Sequence, residues 1–139
     1  MFGYNGIILR VNLTDNKVSR EQLDEKVTRK FLGGRGLGVK LLFDDLKPGI
    51  DPLGPDNKLV IATGVVTGIP FPGNSCHSVM AKSPLTGIWG EAHAKGFFGP
   101  EMKSAGYDAL IIEGKAESPI YLWSNDEKAE IKDASHLWR

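Results

Sequence analysis

Thiols are almost missing from this sequence. Cys76 is the one cysteine among 139 residues, which excludes an internal disulfide framework. It also excludes a self-contained zinc or iron–sulfur centre, since those need several thiolate or imidazole ligands at short spacing. Histidine is scarce too: His77, His93 and His136 are the three, and they form no metal-ligand pair on a helix. No apolar run approaches the roughly 20 residues of a membrane span. The first residues lack the basic segment and apolar core of a signal peptide, so a soluble, cytoplasmic protein is expected. Excess charge of either sign is absent as well, with lysine plus arginine at 17 and aspartate plus glutamate at 17. No global field draws the chain to nucleic acid or to an anionic membrane, and any anion site must be local.

What is plentiful is glycine, 17 residues, beside a hydrophobic content of 41%. A chain of this size hides roughly two-thirds of its unfolded surface around one core, and one compact domain over residues 1–139 is the expectation. Residues 7–13 and 17–20 read as strands joined by Thr14-Asp-Asn16, a hairpin. Asp24 is placed to cap a helix with Val27, Phe31 and Leu32 on its apolar face, before Gly33-Gly-Arg-Gly36 interrupts it. A second helix is expected over residues 37–46, then a surface loop over 47–58 forced by proline and glycine. Residues 59–63 form a continuous apolar run, as in a strand covered on both faces. Residues 64–75 carry glycine and proline but few charges, which suits an ordered functional loop. Strands follow at 77–81, 88–92 and 107–113, with a short helix at 98–105 whose first turn tolerates Pro100. A last hairpin joins 119–123 to 129–133 across Asn125-Asp126. About eight strands against about three short helices, in blocks without βαβ alternation, read as an α+β fold with mainly antiparallel sheets.

Three stretches could carry chemistry. Gly33-Gly-Arg-Gly-Leu-Gly38 suggests a phosphate loop, but a dinucleotide fingerprint follows a strand and opens a helix, whereas here a helix precedes it. A helix–helix junction whose glycines take positive φ is the better reading, with Arg35 as a charge on a stiff corner. Glu91-Ala-His93 sets a carboxylate and an imidazole on one side of a strand, which fits a poised imidazole and a satisfied structural histidine equally well. Lys95-Gly-Phe-Phe-Gly99 leads into the short helix, so amides at 96–98 and the Lys95 charge could hold an anion locally. Cys76 stands where a glycine-rich loop meets a strand, a place for a small buried hydrophobe more often than for a ligand. Two neighbouring loops, 73–76 and 90–97, could thus clamp a small, partly anionic ligand, without a catalytic constellation.

Blocks along nearly the whole chain then resemble one family, in order. They are Gly6-Ile-Ile-Leu-Arg-Val-Asn-Leu-Thr14, Phe31-Leu-Gly-Gly-Arg-Gly-Leu37, Asp51-Pro-Leu-Gly-Pro-Asp-Asn-Lys-Leu59, Lys82-Ser-Pro-Leu-Thr-Gly87, Phe98-Gly-Pro-Glu-Met-Lys-Ser-Ala-Gly-Tyr-Asp-Ala109, Glu113-Gly-Lys-Ala-Glu117 and Asp133-Ala-Ser-His-Leu-Trp138. The sequence resembles the N-terminal domain of the tungsten-containing aldehyde:ferredoxin oxidoreductases. The resemblance implies an α+β unit whose sheets are the base for a tungsten (or molybdenum) bis-pterin cofactor. It implies an enzyme that oxidises an aldehyde to a carboxylic acid and passes electrons through a [4Fe–4S] cluster to ferredoxin. That cluster and further pterin loops belong to downstream domains of the same polypeptide, so residues 1–139 read as a truncated, cofactor-facing N-terminal domain, inactive alone and without catalytic or metal-ligating residues of its own.

The sequence also departs from the family pattern. Where the family commonly places an arginine in a Gly-Gly-Arg context, this chain has Asn74-Ser-Cys76. Where it usually has Ala-Asn-Ser-Gly-Gly, this chain reads Ala92-His-Ala-Lys-Gly96. Lys95 could restore the charge that the missing arginine removes, and the substitutions suggest a subfamily acting on aromatic acyl groups. The resemblance assigns cofactor contact to Cys76, His93, Ala94, Lys95 and Gly96. Two other readings compete with it: a self-standing module for a small anion such as a nucleotide or acyl-CoA, and a structural fragment that pairs with itself as a homo-oligomer.

Overall fold

The computed structural model describes residues 2–126 and 128–138. Strand β1 (Ile7–Asn12) turns into β2 (Lys17–Gln22), and helices α1 (Glu25–Phe31) and α2 (Gly34–Asp45) follow. Then come β3 (Lys58–Thr63), β4 (His77–Lys82), β5 (Trp89–Ala94), α3 (Phe98–Ser104), β6 (Ala109–Glu113), β7 (Ile120–Asn125), β8 (Lys128–Asp133) and a 3₁₀ turn at Ser135–Leu137. Six strands form one sheet in the order β2-β1-β6-β3-β4-β5, and β7 and β8 form a separate hairpin. β1 and β6 are parallel; the other neighbours are antiparallel. This is the α+β class, mainly antiparallel, that the order of elements predicts.

The sheet is buried on both faces by different elements. Alternation along β1 sends Ile8 to one side and Leu9 and Val11 to the other. On the first side α1 and α2 cover Val60, Ala62, Met80 and Ile111 with Leu37 and Leu42. On the second side, α3 and the hairpin bring Met102, Leu122 and Ile131 against Leu9, Val11, Tyr107 and Leu110. That second cover is partial. Leu59, expected to be buried on a doubly covered strand, is 38% exposed at the start of β3. Arg10 ties the sheet to the end of α2, pairing with Glu21 on β2, Asp45 on α2 and Glu113 on β6.

The helix boundary at the glycine run differs from expectation. Asp24 does cap α1, its side chain accepting from the Lys26 N–H at 2.8 Å. But α2 starts at Gly34 rather than Leu37, so Gly34, Gly36 and Gly38 lie inside it. Positive φ occurs at Leu32 (57°) and Gly34 (53°), not throughout the run. The remaining glycines answer a packing need. A Cβ on Gly36 would stand 2.3 Å from the Phe31 carbonyl oxygen, and one on Gly38 would stand 2.1 Å from the end of the Met80 side chain. Gly38 lets α2 lie close on the sheet, and Gly36 lets it start close to the end of α1.

Candidate functional site

β4 and β5 meet at the candidate site because their register sets residues 74–76 beside 94–96; residues 90–94, expected in a loop over 90–97, form the body of β5 instead. His77 pairs with Ala94 and Ser78 with His93, so the chain entering β4 at 74–76 lies beside the chain leaving β5 at 94–96. A hydrogen bond joins them: the Gly96 N–H donates to Ser75 Oγ at 3.3 Å. Gly96 has φ of 110°, a conformation natural to glycine, and a Cβ built there would meet no atom within 4 Å. The backbone at this corner is open to close approach. Lys95 beside it is exposed, and Ala94 is half-buried.

Cys76 is half-buried and its carbonyl accepts from Thr67 Oγ1 at 2.9 Å. Together with Gly34, Gly64, Thr67, Pro72 and Ser78 it lines a cavity of about 290 Å³ below the 64–76 loop. His93 is on the opposite strand, and both of its ring nitrogens are engaged. Nδ1 lies 3.0 Å from Ser78 Oγ, while Nε2 contacts the Glu91 carboxylate and lies 3.1 Å from Arg35 Nη2. A carboxylate at Nε2 favours the tautomer protonated there, leaving Nδ1 to accept from the serine hydroxyl. Ser78 is buried, so this set orients an imidazole and does not expose a nucleophile. Burial by itself would raise the pKa of the Glu91 carboxyl, but hydrogen bonds from Arg35 (2.7 Å) and Trp89 (3.2 Å), with the charge of Arg35, hold it below the usual carboxylate range.

The residues therefore fall into three groups. Cys76, Ala94 and Gly96 come together at the strand ends, and His93 stands one pair further along the ladder. Lys95 is at the same corner with its charge turned to solvent. The Gly96 amide, expected to face a ligand, is turned to Ser75. Arg35 holds the β5 carboxylate and imidazole from the α2 side. Ser78 and Thr67 also belong to this cluster, and the local sequence singles out neither. Counting the 77–94 hairpin register outward from its turn would have found Ser78 opposite His93; nothing local marks Thr67. His77, by contrast, is a core histidine. It is 8% exposed, its ring centroid lies 5.1 Å from that of Phe98, and burial keeps its pKa below the ordinary imidazole value. Among the described residues no group of three or more His, Cys, Asp or Glu side chains gathers to hold a metal ion.

Comparison with known proteins adds sequence and structural relatives. Residues 8–139 match the family described as aldehyde ferredoxin oxidoreductase, N-terminal domain. A tungsten-containing aldehyde ferredoxin oxidoreductase of Pyrococcus abyssi is 50% identical over 99% of this chain and 23% of its own length. The WOR-like subunit of an aliphatic sulfonate oxidoreductase from Pyrococcus furiosus is 44% identical over 99% of this chain and 22% of its own. In solved structures, a chain of the active site complex BamBC of benzoyl coenzyme A reductase, in complex with 1,5 dienoyl-CoA, superposes with a TM-score of 0.95. It shows 38% identity and covers 98% of this chain and 21% of that one. The chain thus spans about a quarter of the length of these relatives.

Proposed function

The chain belongs to the aldehyde ferredoxin oxidoreductase N-terminal domain family, and from that premise we propose that it forms the pterin-facing base of a tungsten- or molybdenum-dependent oxidoreductase. Within a longer polypeptide that enzyme oxidises an aldehyde with water to a carboxylic acid and delivers two electrons to ferredoxin. The observation that carries the reading is the junction of loops 74–76 and 94–96, with open space over the Gly96 backbone. The bound pterin supplies the metal centre at which substrate is oxidised. The chain supplies surroundings: Ala94 and Gly96 offer backbone at close range, Lys95 offers a positive charge, and Cys76 and His93 wall the site. His93 meets the cofactor through its half-exposed ring face, since its nitrogens are taken up by Ser78, Glu91 and Arg35. The single cysteine cannot hold a [4Fe–4S] cluster, so electron transfer and turnover belong to the remaining domains.

Lys95 stands in for the arginine that the family pattern places at the 74–76 loop. Replacing it in the full-length polypeptide, Lys95→Ala, is expected to lower pterin retained after gel filtration by several-fold, measured by the fluorescence of the released, oxidised pterin. Unchanged retention would remove Lys95 from the site. A second reading concerns the substrate alone. The likeness to the benzoyl coenzyme A reductase complex supports an aromatic acyl thioester in place of an aldehyde, and assaying the loaded enzyme with both classes separates them.

A further inference from the structure

We infer that Thr67 and Lys103 are positioning residues that fix where Cys76 stands, through a partly buried relay running from the core to the 64–76 loop. The functional part of this inference rests on the reading of Cys76 as a wall of the cofactor site; the relay itself does not. Asp108, 1% exposed at the head of β6, accepts from the Gly6 N–H at 2.6 Å and from Lys103 Nζ at 2.8 Å. Lys103 Nζ also donates to the Gly64 carbonyl at 3.2 Å and lies 5.4 Å from the Tyr4 ring centroid. An ammonium engaged on these sides has little freedom to move. Gly64 passes the constraint on, for its carbonyl also accepts from the Thr67 N–H at 3.2 Å and its own N–H donates to Thr67 Oγ1 at 2.9 Å. The Thr67 hydroxyl, 5% exposed, then donates to the Cys76 carbonyl at 2.9 Å.

One hydroxyl therefore closes the loop at its base, linking its start to the residue that enters β4. The loop above it has few bonds of its own: Ile69 N–H to Val66 O at 3.4 Å, Gly68 N–H to Asn74 O at 3.3 Å, Asn74 Nδ2 to Ile69 O at 2.6 Å, and Phe71 N–H to Ile69 O at 2.8 Å. Its residues 68–73 are exposed. Such a segment gains its geometry from its ends. Removing the Thr67 hydroxyl leaves the Gly64 N–H and the Cys76 carbonyl without their partner, and both find one only if the loop shifts.

Cys76 is the only thiol in the 139-residue chain, so its alkylation rate with iodoacetamide, read at concentrations where the chain is monomeric, reports the loop directly. Thr67→Val is expected to raise that rate several-fold, Thr67→Ser to restore it to near the wild-type value, and Lys103→Met to raise it in the same direction. The double change should exceed the larger single one by little, because both act through one path. A Thr67→Val chain that alkylates at the wild-type rate, or a Thr67→Ser chain as fast as Thr67→Val, overturns the relay; the threonine pair decides the matter even where Lys103→Met does not fold. The two readings separate in the full-length polypeptide. If Thr67→Val quickens alkylation of the 139-residue chain yet leaves pterin retention intact there, the relay stands and Cys76 leaves the cofactor site.

Discussion

His77 lies in β4 with its ring against Phe98 and its Nδ1 buried without a hydrogen-bond partner. Most of the ring is shielded from water, and a charged imidazolium there would be poorly solvated, which is why its pKa falls below the ordinary value. In the unfolded chain the ring titrates near the usual value of about 6.5. On acidification the unfolded state takes up its proton first, so the folded state loses stability as the pH drops below that value, until the depressed pKa is passed. Thermal midpoints between pH 7.5 and pH 5 should therefore fall for the wild-type chain and fall less for His77→Phe, which keeps an aromatic ring against Phe98 and removes the proton. Equal slopes in the two chains would show that His77 is not the group responsible. The sequence could not separate this histidine from His93: both lie next to glycine-bearing segments, and only the face each strand turns to the core distinguishes them. Glu91 and His93 were legible as a pair because side chains two apart on a strand share a face. Arg35, 56 positions from Glu91 in the chain, joins them through sheet and helix packing that no local pattern encodes.

In α2 two glycines resist replacement for different reasons. Alanine is the better helix former by about 1 kcal/mol, so an exposed glycine-to-alanine change would stabilise. At Gly38 the new Cβ overlaps the buried end of Met80, and at Gly36 it overlaps the carbonyl of Phe31, which is backbone. Overpacking costs about 1–3 kcal/mol, enough to reverse the propensity gain. Gly38→Ala should lower stability by about that amount in denaturant titration, and should cost less in a Met80→Ala background, where the side chain it overlaps is gone. Gly36→Ala should cost more and find no relief from Met80→Ala. A Gly38→Ala chain as stable as wild type would mean that the helix stands further from the sheet than described. The same element shows what a sequence can convey. The Asp24 cap was readable because capping is local chemistry, and hairpins were readable from turn residues. The glycine run reads as a break in the sequence because its cause, the closeness of Met80 on a strand far along the chain, is tertiary.

Exposed apolar side chains occur around the whole molecule, Phe2, Phe43, Leu53 and Leu85 among them, and one group of them is gathered by a loop and a helix. Val66, Ile69, Phe71, Phe97 and Phe98 are exposed at the end where the 64–76 loop meets the start of α3, Phe97 at 85% and Phe71 at 68%. The loop and helix are in contact there: a Cβ on Gly68 would lie 3.6 Å from Pro100, and one on Gly99 would lie 3.2 Å from the Ser75 carbonyl. This is the corner that the proposed function assigns to the cofactor. Isolated apolar side chains on a surface are ordinary; a cluster of aromatics at one end marks a surface meant to be covered. In relatives about four times as long, the rest of the polypeptide is the natural cover. The 139-residue chain taken alone exposes this end, so it should associate through it. Sedimentation at rising concentration is expected to give a mass above that of the monomer, and Phe71→Ser with Phe97→Ser should return it to the monomer. Phe43→Ser, on the outer side of α2 and 82% exposed in the wild type, should change the mass little, because association through the loop end does not involve it. If the paired change leaves the mass raised while Phe43→Ser lowers it, the α2 side is the covered face, and the loop end is open to solvent for another reason, such as entry of substrate.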